Sequence, residues 1–175
     1  IAVVTSIEFD HGDIYANLAE IELAFQRMLR QIPKDGWLVT CADSPAAAAL
    51  ADHAFSNIAT YGFSEGATWR GEIKHADAMP VMTVYRDGQP WTELNVPLAG
   101  RHNLQNALAA VAVAGILGVE PATLKKAMPH FRGVRRRMDI FLEADGVTYV
   151  DDFAHHPTAI RETLSGARER WPGRR

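Results

Sequence analysis

Most of the residues and patterns that assign a chain quickly are missing from this one. A single cysteine, Cys41, excludes an internal disulfide framework and any CxxC zinc or redox pair. Neither sign of charge dominates. Eighteen Lys and Arg stand against 21 Asp and Glu, for a net charge of −3. No bulk electrostatic attraction therefore holds nucleic acid or an anionic membrane. The longest apolar run, Leu108–Val119, falls short of the about 20 residues that a bilayer-spanning helix needs. There is no GxxxxGK[ST] phosphate loop, no GxGxxG turn, no GxSxG nucleophile elbow and no HExxH zinc helix. Cys41 itself lies in an apolar, strand-like run, a poor place for a nucleophile. No signal peptide is visible, which sets the expectation of a cytosolic protein.

What is there is ordinary globular material: 175 residues, 47% apolar and 22% charged, enough for about one domain or one and a piece. Ile1–Thr5, Trp37–Cys41 and Asn57–Phe63 are short apolar runs that predict strands. Between them, Leu18, Ile21, Phe25, Met28, Leu29 and Ile32 recur at helical spacing. Asn17 and Glu20 form a capping box before them, and Pro33 and Gly36 stop the pattern. The Ala-rich Pro45–His53 predicts a second helix. Strand alternating with helix predicts an α/β fold with a mainly parallel sheet. The rhythm breaks over 68–98, where Arg70–Lys74, Val81–Arg86 and Trp91–Val96 read as extended. Asp87-Gly88 marks a hairpin, so a small antiparallel insert is expected. Leu104–Leu117 and Pro121–His130 predict helices. After Gly133 the pattern restarts with strands at Met138–Glu143 and Val147–Asp151 and a helix at Ile160–Arg170. These last 40 or so residues are too few for a core of their own. The chain is therefore expected to be a piece of a larger protein, with a boundary near Gly133.

Four clusters carry candidate chemistry. Glu8, Asp10, His11 and Asp13 follow the first strand. Carboxylates and a neutral imidazole there can hold a divalent cation, although Asp13 can equally cap the next helix. Asn103 and Asn106 are three apart at the start of a helix, and such an amide pair can donate and accept as adenine recognition requires. Alternatively, Asn103 is an N-cap. Arg135, Arg136 and Arg137 beside Gly133 can close on phosphates or form a solvated linker. Asp152, His155 and His156 follow a strand. A carboxylate there suits ribose hydroxyls, while the two histidines lack a third ligand at zinc spacing and suit local hydrogen bonding. The four tryptophans are expected to be packing residues.

Taken in order, TSIEFDH, GRHNLQNALAA, FRGVRRR and DDFAHHPTAI resemble the Mur ligase family of ATP-dependent amide-forming enzymes over nearly the whole chain. EFDHGDIY and DDFAHHPTAI look most like its muropeptide-recycling subgroup, with the L-alanine-adding subgroup as the alternative. The resemblance implies that residues 1–132 are the later part of a central ATPase domain and that 133–175 open a Rossmann-like C-terminal domain. The phosphate loop would lie upstream. It implies ATP and Mg²⁺ as cofactors. It implies ligation of UDP-N-acetylmuramate to a peptide acceptor, L-alanyl-γ-D-glutamyl-meso-diaminopimelate, through an acyl phosphate, with no nucleic acid or membrane partner. His11 matches the family's magnesium-holding histidine. Asn103 and Asn106 match its adenine-side amides, Arg137 the arginine that reaches the ATP phosphates, and Asp152 the ribose carboxylate. His155 and His156 belong to the same nucleotide-binding signature. No lysine follows His11 before Lys34, which agrees with both subgroups. The reading from a different class is a non-catalytic nucleotide-binding module, favoured for this stretch by its lack of a phosphate loop.

Overall fold

The structure, a computed structural model, describes residues 1–74 and 79–174. Six strands form one sheet in simple sequence order: β1 (Ala2–Val4), β2 (Trp37–Cys41), β3 (Asn57–Gly62), β4 (Trp69–Ile73), β5 (Val81–Arg86) and β6 (Gln89–Asn95). The first four are parallel and the last three antiparallel. The expected antiparallel insert is thus a continuation of the parallel sheet. The β3 to β4 step needs no crossover helix, because the two strands overlap over only two residue pairs, Tyr61 with Trp69 and Gly62 with Arg70. Pro90 lacks a ladder N–H and sits in β6, at the sheet's edge, where that loss is tolerated.

Helices cover both faces. Side chains alternate across a strand, so β2 serves two cores. Leu38 packs with Val4, Ile21, Leu29, Ala47 and Leu50 under α1 (Leu18–Leu29) and α2 (Pro45–Ala48). Val39 and Cys41 pack with Tyr61, Trp69, Leu104, Leu108 and Val111 under α3 (Arg101–Ile116). Burial on both faces is why β2 reads as an uninterrupted apolar run. Its one buried hydroxyl, Thr40, donates to the Ala47 carbonyl at 2.7 Å.

α1 begins as its sequence predicts. Asn17 accepts from the Glu20 N–H at 3.1 Å, and Glu20 in turn accepts from the Ala16 N–H at 2.8 Å. It ends at Leu29, one turn before Pro33. Gln31 and Ile32 bond back to Met28 and Leu29 in tight turns, so Ile32 keeps its place in the apolar stripe after the α-helix has stopped. The Pro45–His53 segment divides into α2 and a 3₁₀ turn at Ala49–His53. Pro121–His130 likewise divides into α4 (Pro121–Ala127) and a 3₁₀ turn at Met128–His130.

After Gly133 come a two-stranded antiparallel sheet, β7 (Asp139–Ala144) with β8 (Val147–Asp151), and α5 (Pro157–Arg170). The helix starts three residues earlier than the apolar pattern showed, with Pro157 in its first turn. Phe141, Leu142, Val147, Tyr149 and Leu164 are all exposed.

Candidate functional site

The loop after β1 carries the first cluster, at the carboxyl end of a parallel strand. His11 holds a left-handed backbone, φ 54°. Its carbonyl accepts the Ile14 and Tyr15 N–H groups at 2.8 and 3.0 Å, and its own N–H donates to Asp10 Oδ1 at 2.7 Å. That N–H holds the Asp10 carboxyl below its usual range against the opposing effect of desolvation, with help from the rings of His11, His156 and His155. The His11 ring is free in solvent, 69% exposed, with Nε2 3.9 Å from Asp10 Oδ2. Asp13 does not cap α1; Asn17 does.

The fourth cluster meets this loop from the other end of the chain. His156, the residue preceding α5, donates from Nε2 to the Phe9 carbonyl at 3.1 Å, and its Nδ1 lies 3.4 Å from Glu8 Oε2. A carbonyl can only accept, so the Nε2 proton is fixed. His155 folds back on its own loop instead. Its Nδ1 donates to the Phe153 carbonyl at 2.9 Å and its ring stands edge-on to Phe153. The adjacent histidines therefore do different work: one locks the loop and the other joins it to the first unit.

Asp152 is only 12% exposed at its side chain. It accepts from the Met138 N–H at 2.9 Å, the Ala154 N–H at 2.8 Å and the Thr163 hydroxyl at 3.3 Å. Arg137, half-exposed, places Nη1 3.8 Å from the same carboxylate. Arg136 turns away to Asp151, at 3.4 Å, and lies over the Phe153 ring. The linker holding these arginines contains three left-handed residues, Gly133, Arg136 and Met138, two of which carry side chains that disfavour that conformation. The Asp152 carboxylate bonded to the Met138 N–H is one of the contacts that hold it so.

The amide pair sits at the start of α3. Gly100, at φ 90°, is the N-cap, so Asn103 is not. Asn103 Nδ2 donates to the Ala99 carbonyl at 2.7 Å, and Asn106 is exposed. α5 crosses this turn closely: a Cβ on Gly166 would lie 3.4 Å from the Gly100 Cα. Here the structure adds His102, a residue the sequence reading passed over. Its Nδ1 is buried without a hydrogen-bond partner among the described residues, 3.8 Å from Glu162 Oε2 on α5. Burial pushes its pKa down, while the Glu162 and Asp152 carboxylates pull it up. Its one legible signal was its place in the HNLQN turn.

Among the described residues, no three His, Cys, Asp or Glu side chains converge as a metal cage. Asp10 and His11 offer two adjacent donors. Magnesium bound through phosphate oxygens keeps several waters and takes only one or two protein ligands. This donor set fits such a shared magnesium ion. The structure joins the first and fourth clusters through His156, which meets Phe9 and Glu8, and places Arg137 of the third beside Asp152. His11, Asn106 and Arg137 keep exposed side chains.

The Mur ligase middle-domain model matches residues 1–114, and the model for the Mur ligase glutamate ligase domain matches residues 136–175. A UDP-N-acetylmuramate–L-alanine ligase from Nitratidesulfovibrio vulgaris (strain DP4) is 39% identical over 99% of this chain and 38% of that protein. A crystal structure of the UDP-N-acetylmuramate-alanine ligase MurC from Thermotoga maritima superposes with a TM-score of 0.78. It is 31% identical, over 95% of this chain and 37% of that one. A murein peptide ligase from Psychrobacter arcticus superposes at 0.70, 29% identical over 99% of this chain and 36% of that one. The chain thus spans about two fifths of the length of the relatives it matches. Several L-alanine ligases stand among the curated relatives, so the expected closeness to the recycling subgroup is not supported over the L-alanine-adding one. No helix of the described residues is long and apolar enough to cross a membrane. On the middle-domain match alone, which covers most of its length, this chain belongs to the Mur ligase family.

Proposed function

We propose that the chain is the ATP-side portion of a ligase that joins L-alanine to UDP-N-acetylmuramate in peptidoglycan synthesis. Residues 1–132 form the later part of its central ATPase domain and residues 133–175 open its C-terminal domain. The carrying observation is the 39% identity to a UDP-N-acetylmuramate–L-alanine ligase across 99% of this chain. The recycling reading, with the tripeptide as acceptor, draws on the EFDHGDIY and DDFAHHPTAI motifs and on the likeness to the murein peptide ligase.

The chemistry follows from the leaving group. A carboxylate acylates an amine poorly, because oxide would have to leave. A carboxylate oxygen attacks the γ-phosphorus of ATP, forming an acyl phosphate and releasing ADP. The amine then attacks the acyl carbon, and phosphate leaves from the tetrahedral adduct. Most of the catalytic work is positioning and charge stabilisation. Magnesium, when bound, offsets repulsion between the two anions, and Asp10 and His11 are the residues of this chain that would hold it. In this reading Asn106 takes the adenine edge, with Asn103 fixed beside it, and Arg137 meets the phosphates. Asp152 serves the ribose, although its oxygens already accept protein donors. His156 holds the nucleotide-binding loop against Phe9 and Glu8, and His155 fixes that loop's shape.

The test is a ligation assay on the full-length protein with ATP, Mg²⁺ and UDP-N-acetylmuramate, comparing free L-alanine with the tripeptide by product mass. Preference for L-alanine is the expected result. Preference for the tripeptide would transfer the assignment to the recycling ligase.

A further inference from the structure

One polar node outside these clusters ties α3, which carries Asn103 and Asn106, to the chain just beyond β2 and β3. Asp43 lies two residues beyond β2, at the carboxyl end of a central parallel strand. Its Oδ2 accepts from the Phe63 N–H and from Gln105 Nε2, each at 2.8 Å. Its Oδ1 accepts from the Ser64 N–H at 2.9 Å and from the Ser64 hydroxyl. Gly62 makes room for the carboxylate, since a Cβ there would stand 2.8 Å from Oδ1. Burial raises the Asp43 pKa, but the four donors outweigh it, and the carboxyl stays below its usual range.

An ionised carboxylate only accepts, so it fixes which end of the Gln105 amide faces it. Gln105 lies on α3 between Asn103 and Asn106. A second tie joins the same turn to the same loop: the Arg101 guanidinium lies over the Phe63 ring, 4.1 Å from its centroid. We propose that Asp43 is a positioning residue that fixes the first turns of α3 through Gln105 and so aims Asn106 at the nucleotide. The proposal rests on the reading of Asn106 as an adenine-side amide.

Gln105→Met in the full-length protein tests it. The substitution keeps the side chain's length and leaves Asp43 its other three donors, so the loop stays held. ATP KM should rise by roughly 5- to 10-fold, the scale of one charge-assisted hydrogen bond. Changes in kcat and in KM for UDP-N-acetylmuramate should stay within about twofold, and the melting temperature should fall by no more than a few degrees, about the loss of one hydrogen bond. Asn106→Ala is the companion variant and should raise ATP KM at least as much. A raised ATP KM in Asn106→Ala with none in Gln105→Met overturns the positioning role and leaves the adenine reading standing. An unchanged ATP KM in both removes the adenine reading, and this proposal with it. A larger fall in melting temperature with all kinetic constants altered together also overturns it, because it marks a general structural loss.

Discussion

At the scale of single residues, the site separates into groups already engaged by the protein and groups left facing solvent. Asp152 is engaged three times over, whereas His11, Asn106 and Arg137 keep exposed side chains. The distinction bears on Arg137. Its contact with Asp152, at 3.8 Å and half in solvent, is weak enough to be exchanged for a phosphate. Removing the guanidinium should therefore cost little stability and much rate. Arg137→Ala in the full-length protein is expected to lower kcat at least about tenfold, or roughly 1.4 kcal/mol. An unchanged kcat would remove Arg137 from the reaction. The residue types at this site were legible because each carries specific chemistry at a strand end or helix start. The division of labour between His155 and His156 was not legible. It depends on which ring meets the Phe9 carbonyl, 147 residues away in the chain.

At the scale of elements, the sequence was most readable where one local signal decides the conformation. Asp87-Gly88 and Asp145-Gly146 both hold the paired left-handed φ values that a tight hairpin demands. The apolar runs located β2 and β3, and the capping box located α1. Less readable were features set by neighbours. The bulge at Val84/Tyr85 and the two-pair overlap of β3 with β4 depend on partners that no short window contains. Gly115 is another such case. In a helix a glycine is ordinarily a weakness, worth about 1 kcal/mol relative to alanine. Here a Cβ on Gly115 would stand 2.2 Å from the Trp69 ring, which is 1% exposed and wedged edge-on against Trp91. Overpacking a core costs about 1–3 kcal/mol, enough to reverse the propensity gain. Gly115→Ala should therefore lower the denaturant midpoint. A stabilisation near the helix-propensity value would show that Trp69 has room to move.

At the scale of the whole molecule, two segments separated by a strained linker meet through few but specific contacts. His156 reaches Phe9 and Glu8, His102 faces Glu162, and Gly166 lies against Gly100. Phe141, Tyr149 and Leu164 of the second segment are exposed, while Met138 is buried. In the proposed ligase, the His156 loop meets Phe9 and Glu8 of the first segment while Arg137 stays on the second, beside Asp152. Such a site can keep water from an acyl phosphate when the parts come together. The proposed reaction passes through that acyl phosphate. Its most direct test uses UDP-N-acetylmuramate carrying a heavy oxygen isotope in its carboxylate, turned over by the full-length protein with ATP and L-alanine. One labelled oxygen is expected in each inorganic phosphate released, because the carboxylate oxygen that bridges to phosphorus leaves with it. Unlabelled phosphate, or label appearing in AMP, would contradict it.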